Sequence, residues 1–556
     1  MNLKSISLAV ALFSCVVMHG VELPPLSPVE GTDVMGYVHD GTKGVPGVLV
    51  SDGYDFARTD DNGAYHLASN PDALMVYVIL PSGYEFADVS GGVVKFFKEI
   101  DRTASDFQAD FAIRPIGDDT SFSFLLHADT QPKEYFNPQV FPELGNAYKD
   151  MKKCADELAA ADGFTPFNLH MGDIVYNNDN DVEGYGRYLT YVRNSGYDIP
   201  ILPTPGNHDR FYVTDYNKSL SLYRETWGPE RYSFNRGKVH FISLDNVHIE
   251  KEGDFAGAVR PEAVEWLKKD LSFVEKGSRV VLFGHRAFTR NKTTCKNFAS
   301  TLELLKDYDV LILSGHLHQS FNNFPSYAPS IKERNHIALG GNTWRGPCTR
   351  DGVPRGYYIY MVNGTDISWK YKQTGKNPDT NMFRLYEPGL FNTPVFAPSD
   401  DKTVIVNVWD WDEDWKVTWS LDGVEQGDVS RYDSARDPWA VYNYDNDTET
   451  GSAETYHIFH CDVPSTGSVV KVTVADPFGC TLSKELTLEA APSGGIETVA
   501  PESCGVLTTE IYNMQGIRVL SVGGYPETDT LPLSPGCYIM HLRHTDGTLT
   551  TEKTVL

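Results

Sequence analysis

The spacing of apolar and polar positions divides the chain into stretches of different period. Over residues 31–115 the apolar positions alternate or come in short runs. Val34 to Val38 alternates, and the turn Gly44-Val45-Pro46-Gly47 leads into Val48-Leu49-Val50-Ser51. Asn62-Gly63, within Thr59 to Tyr65, predicts a hairpin in which positive φ is available. Over residues 120–372 short apolar runs alternate with helical patterns. Phe122 to Leu126 ends near Asp129, Phe167 to Leu169 leads to Gly172-Asp173, and Ile199 to Leu202 leads to Gly206. Val239 to Leu244 precedes Asp245, Arg279 to Phe283 precedes Gly284, and Asp309 to Leu313 precedes Gly315. Ala147 to Ala161 has the helical period, as does Glu262 to Leu271, with Pro261 suited to the first turn. This alternation predicts an α/β domain. Residues 373–490 return to strands, among them Thr403 to Trp409 and Val469 to Val474. Trp409, Trp411, Trp415 and Trp419 recur at even spacing, which predicts that several share one strand face, as packed core ahead of a sugar-binding platform. Ala491-Pro492-Ser493-Gly494-Gly495 reads as a linker before a small β-module over residues 496–556.

Composition narrows the class. A chain of 556 residues needs several cores. Its formal net charge of −27 argues against a bulk nucleic-acid surface but leaves room for a phosphate substrate beside bound cations. Lys4, the apolar run Ile6 to Met18 and Gly20 read as a secretory signal over residues 1–20, with simple cleavage favoured over lipidation at Cys15. The expected location is therefore periplasmic, cell-surface or extracellular, and surface attachment is left open. In an exported chain Cys295 with Cys348, and Cys461 with Cys480, are candidate bridges.

Five polar clusters stand at predicted strand ends: Asp129-Thr130-Gln131, Gly172-Asp173-Ile174-Val175-Tyr176, Gly206-Asn207-His208-Asp209, Gly284-His285 and Gly315-His316-Leu317-His318. Open α/β sheets place their sites at such ends. Carboxylates, an amide oxygen and imidazoles together suit Mn, Fe or Zn. Two such cations can bind phosphoryl oxygens, acidify water and support in-line displacement. Metal also explains why several imidazoles would be neutral in one pocket.

With these motifs, residues 120–372 resemble the calcineurin-like metallophosphoesterases, the superfamily of purple acid phosphatases and many phosphodiesterases. The resemblance implies a β-sandwich flanked by helices, here with N-terminal and C-terminal all-β domains. It also implies hydrolysis of a phosphate ester, a diester or a monoester, by metal-activated water. By matching positions, Asp129 and His318 are expected on the first metal, Asp173 between both, and Asn207, His285 and His316 on the second. His208 matches the family's non-ligand histidine, which contacts phosphate and protonates the leaving oxygen. Two departures stand. Gln131 occupies the place of a usual histidine ligand, and Tyr176 that of the tyrosine ligand of purple acid phosphatases, so either is a candidate ligand. The carboxylate that orients the catalytic histidine in the protein phosphatases is absent, which leaves Asp209 as the candidate. Arg210 and Arg286 follow ligand motifs and are candidates for phosphate oxygens. Asn342, Trp344 and Arg345 follow another strand and are candidates for the pocket wall.

Residues 31–115 resemble transthyretin-like, carboxypeptidase-regulatory-like modules. Residues 496–556 resemble the C-terminal sorting domain of the type IX secretion pathway. These β-modules and the tryptophans also fit a second function: a surface glycan-binding or adhesin protein with a catalytically idle central domain.

Overall fold

The computed structural model describes residues 23–176, 183–386, 388, 403–444, 451–463, 468–488, 506–513, 518–523, 537–544 and 549–555. The expected signal segment, Cys15 and the linker at 491–495 lie outside them. No helix among the described residues is long and apolar enough to cross a membrane.

Two sheets form the centre. The first has seven strands, in the order Asp366–Gln373, Gly356–Asn363, Ser121–His127, Phe167–His170, Ile201–Pro203, Val93–Val94 and Val89–Ser90. The second has six, in the order Arg231–Arg236, Val239–Leu244, Arg279–Phe283, Asp309–Ser314, Ile331–Asn335 and Phe321–Asn323. Both are mixed, with parallel central strands. Their strands read as nearly unbroken apolar runs because both faces are buried. Phe124 and Leu126 point into the core between the sheets, with Phe167, Phe241, Phe283 and Leu313. Leu125, one residue out of phase, faces outward with Ile201 and Tyr357. There it meets the helices Val140–Asp162 and Gly184–Asn194. Ile242, Leu282 and Ile312 likewise meet the helices Pro261–Leu271 and Phe298–Leu305. This is a β-sandwich flanked by helices, the fold that the family resemblance implied.

Strands also dominate either side of this centre. Ahead of it, one sheet is built around Val34–His39 and a four-stranded one runs Phe56–Arg58, Leu49–Ser51, Met75–Ile79, Phe97–Glu99. After it, a sheet with Thr403–Val408 at its middle accompanies one with Lys416–Leu421 and Val469–Ala475 at its middle. All these strands belong to one compact unit. A second unit holds a four-stranded antiparallel sheet, Arg518–Gly523, Val506–Asn513, Cys537–His544 and Leu549–Val555.

Three local expectations fail. The turn at Asn62-Gly63, where Gly63 has φ 79°, is not a hairpin. Phe56–Arg58 pairs with Leu49–Ser51, whereas Ala64–Leu67 pairs with Val34–His39, so the turn carries the chain between sheets. The four tryptophans share no strand face. Trp409 follows one strand and is buried, Trp419 lies in another, and Trp411 and Trp415 sit in the connection between them. The proposed cysteine pairs are all free thiols. Cys348 is buried against Tyr444, and Cys480 lies 3.6 Å from the Met382 sulfur.

Buried His336 illustrates how the core sets pH stability. Its Nδ1 donates to Ser314 O at 2.8 Å, so Nε2 accepts from the Tyr360 hydroxyl at 2.7 Å. Burial, reinforced by the Arg334 charge, lowers its pKa from 6.5 to about 3. The unfolded imidazole takes a proton below pH 6.5 that the folded one refuses. Stability is therefore lost as pH falls from 6.5 towards 3. Between pH 7 and 4.5 the loss from this residue should be on the order of 2–3 kcal/mol. Urea unfolding at both pH values should show a smaller drop in His336→Gln than in the parent.

Candidate metal centre

All five clusters leave the sheets at one edge of the sandwich. Asp129 follows Ser121–His127, Asp173 follows Phe167–His170, Asn207 follows Ile201–Pro203, His285 follows Arg279–Phe283, and His316 follows Asp309–Ser314. Backbone bonds stitch neighbouring loops together: Asp129 N–H donates to Gly172 O at 3.1 Å, Gln131 N–H to Asp173 O at 3.2 Å, and Gly315 N–H to His285 O at 2.9 Å. The loops are strained. Among the described residues ten non-glycine residues have positive φ, and Asp129 (49°), Gln131 (33°), Asp173 (53°), His316 (72°) and His318 (53°) are five of them. Such strain persists where surrounding contacts over-determine it, typically at working sites. Two glycines let the loops close. A Cβ on Gly206 would lie 2.0 Å from Asp173 Oδ1, and one on Gly315 2.6 Å from Asp129 Oδ2.

The side chains converge. Asp173, His285 and His316 each offer a ligand atom within 4.8 Å of the others. His285 Nε2 stands 3.1 Å from Asn207 Oδ1, 3.1 Å from His316 Nδ1 and 3.3 Å from Asp173 Oδ2. The other nitrogen, Nδ1, donates to Met171 O at 2.7 Å, which leaves Nε2 as the ring's ligand atom. Beside this group, His318 Nε2 lies 3.4 Å from Asp129 Oδ1, and the Asp129 carboxylate accepts the His316 backbone N–H. Gln131 joins the two groups, donating from Nε2 to Asp173 Oδ2 at 2.5 Å, while its buried Oε1 has no hydrogen-bond partner. An orphaned amide oxygen among two carboxylates and three imidazoles is what a cation site offers a hard metal.

Electrostatics agree. Burial raises Asp173, but the neighbouring His285 and His208 outweigh it and hold the carboxyl well below its usual range. Burial lowers His285, yet Asp173 and its hydrogen bond raise it to about 9. The carboxylate thus retains its charge, and the proton it draws onto the imidazole beside it is what a bound cation would displace, leaving His285 neutral as a ligand.

His208 lies beside this centre. Its N–H donates to Asp173 Oδ1 at 2.8 Å, its ring stacks on Tyr176 at 4.6 Å, and its buried Nδ1 has no hydrogen-bond partner. Asp209 does not orient it. Asp209 Oδ1 accepts from Ile174 N–H and the Tyr185 hydroxyl, and Oδ2 accepts from Gly206 N–H. Burial first, then repulsion by Asp173, pushes its pKa up to about 6. It is a clamp between two loops, not a partner of the histidine. Arg210 is likewise withdrawn from any phosphate: it is fully buried and donates to Gly206 O, Val247 O and Asp245 Oδ1. Arg286 does face the centre, 3.1 Å from His316 Nε2. Trp344 props the first loop, donating from Nε1 to Thr130 O at 2.5 Å. Asn342 is buried in the same turn, where its N–H donates to Cys348 O, and Arg345 lies 4.1 Å over Phe136. Tyr176 lines the site through its ring.

Sequence reasoning missed Asn246. Its side chain clasps the His285 loop from both sides, accepting Arg286 N–H at 3.0 Å and donating to Arg286 O at 2.6 Å. The signal was present: Asp245-Asn246 is a sixth polar pair at a strand end.

Three family profiles match in succession: the N-terminal domain of calcineurin-like phosphoesterase over residues 32–116, calcineurin-like phosphoesterase itself over 123–320, and the C-terminal domain of calcineurin-like phosphoesterase over 333–481. No curated protein sequence matches the chain. Among solved structures it is similar to a dimetal phosphatase from Danio rerio (14% identity, 46% of this chain and 97% of that one, TM-score 0.33). It is also similar to a purple acid phosphatase from yellow lupin (Lupinus luteus) seeds (12%, 58% and 57%, TM-score 0.33). A 5'-nucleotidase from Candida albicans is a third (12%, 46% and 51%, TM-score 0.30). With the profiles for its beginning, middle and end in order along residues 32–481, the chain belongs to the calcineurin-like phosphoesterases, metal-dependent hydrolases of phosphate esters whose centres hold two metal ions.

Proposed function

We propose that the protein is an exported phosphoesterase that hydrolyses a phosphodiester or phosphomonoester at a dinuclear centre of Mn, Fe or Zn. The convergence of Asp173, His285 and His316, with Asn207, Asp129, His318 and Gln131 around them, is the observation that carries the reading. Asp173 would be shared by both ions, His285, His316 and Asn207 would hold one, and Asp129, His318 and the Gln131 amide oxygen the other. Bound there, the pair would supply Lewis acidity and lower the pKa of water. The protein does the rest. Asp173 and Asp129 bring negative charge that offsets the cations. Met171 O fixes the His285 tautomer, and Tyr176 holds the His208 ring flat beside Asp173. From that place His208 would contact a phosphoryl oxygen and pass a proton to the leaving oxygen. Arg286, next to His316, would meet another phosphoryl oxygen.

Lys4 and the apolar run behind it support export to the periplasm, cell surface or medium. The likeness of residues 496–556 to a type IX sorting domain supports surface attachment. A net charge of −27 leaves a phosphate-ester small molecule as the favoured partner over nucleic-acid polymers.

Two substitutions test the reading on metal-stripped protein reloaded with Mn, Fe or Zn. Asp173→Asn should lose both metal content, measured by elemental analysis, and turnover of a chromogenic phosphodiester. His208→Asn should keep its metal and lose roughly 10²–10⁴-fold in kcat. Metal-independent turnover, or full activity in Asp173→Asn, would sink the assignment.

A further inference from the structure

The rings around the centre are arranged beyond what ester hydrolysis requires. They run outward from His208 in contact. The imidazole stacks on Tyr176, with centroids 4.6 Å apart and planes at 15°. Tyr176 meets Phe136 edge-on at 5.2 Å, and Phe136 meets Tyr135 edge-on at 5.4 Å. Tyr135 ends the row 85% exposed, well beyond the next large exposed hydrophobic among the described residues, Val424 at 62%. Packing therefore gives Tyr135 no role. Two cations lie over the row: Lys133 Nζ is 5.5 Å from the Tyr176 ring and the Arg345 guanidinium 4.1 Å from the Phe136 ring. The loop that carries Tyr135 and Phe136 begins at Gln131, whose amide touches Asp173. Row and centre are thus joined by a few residues of one loop.

The direction of the row carries the chemistry. It starts at the histidine assigned to the leaving oxygen, so it extends along the alcohol part of the ester. Exposed aromatic faces beside cations bind flat, polarisable rings by stacking, and they do so with little regard to ring identity. The Tyr176 and Phe136 rings separate Tyr135 from His208, so a ring that reaches Tyr135 is spaced from phosphorus by several atoms. We propose that Tyr135, held away from His208 by the edge-on rings of Phe136 and Tyr176, is the stacking platform for a planar ring borne on the substrate's alcohol. The centre then prefers nucleoside phosphates and similar ring-bearing esters to sugar phosphates. This rests on the hydrolase reading above, and Tyr135 is its specificity residue.

Adenosine 5'-monophosphate and ribose 5-phosphate offer the same kind of primary leaving oxygen and differ by the base. Binding of each to the metal-loaded, full-length His208→Asn protein, in which turnover is suppressed, is measured by titration calorimetry. The nucleotide should bind about tenfold tighter than the sugar phosphate. That ratio should fall towards one when Tyr135→Ala is added, and Tyr135→Trp should keep it. Equal affinities, no binding of either compound, or a ratio that Tyr135→Ala leaves intact would overturn the proposal. Base-dependent binding that Tyr135→Ala abolishes, with neither ester turned over by the wild-type protein, would support the platform and remove the hydrolase reading for nucleotides instead.

Discussion

The buried carboxylate of Asp173 is the constraint that the rest of the centre answers to. A carboxylate taken out of water is costly unless charge and hydrogen bonds replace the lost hydration. Here the replacements come from four other loops: the His208 N–H, the Gln131 amide, the His285 imidazole and, close behind, His316. Bringing that many loops to one point requires backbones to approach more closely than side chains normally permit. Gly206, having no Cβ, leaves room for Asp173, and residues at positive φ turn the carboxylates and imidazoles inward. The strain is concentrated where cations would offset it, because metal affinity is the one large term that rewards such convergence.

What was legible in the sequence was local. A strand that ends in a polar cluster announces itself by the change from an apolar run to Gly-Asp, Gly-Asn-His or Gly-His, and each such cluster sits in the structure at a strand end. The ring stack of Tyr176 on His208 was not legible, since nothing in the spacing says that two loops cross there. Asp209 and Arg210 mislead for a related reason. Both adjoin His208 in sequence, but successive side chains of a tight turn point different ways. Asp209 turns to the Ile174 loop, and Arg210 finds its partner Asp245 at the end of a strand of the other sheet. The Asn62-Gly63 turn shows the same limit: turn chemistry specifies a reversal, and which strand receives the chain is decided by long-range pairing.

The flanking β-layers are built into the catalytic sandwich rather than hung on it. Val93, from the stretch that sequence assigned wholly to the N-terminal module, pairs with Ile201 and so extends the catalytic sheet next to the strand that leads into Asn207 and His208. From the other side, buried Arg334 pairs with Asp410 and lies 3.8 Å over Trp369, tying the second sheet to the C-terminal layer. A third link runs from the site itself. Arg210 donates to Asp245, the Tyr216 hydroxyl donates to Asp245 and lies 3.3 Å from Glu230, Glu230 accepts from Arg224 and Arg231, and Arg231 donates to Gly53 O in the N-terminal layer. Buried pairs of this kind contribute little net stability, because desolvation offsets most of the Coulomb gain, but losing one partner strands the other at a cost of several kcal/mol, on the order of 3–5. Their value is therefore geometric: they admit few alternative arrangements. A loop such as 206–210, which must present Asn207 and His208 to within a few tenths of an ångström, gains from being anchored at Arg210 to a network that ends in another layer of the protein. The N-terminal layer accordingly acts on the centre through position, by fixing the loop that carries Asn207 and His208, and contributes no ligand of its own.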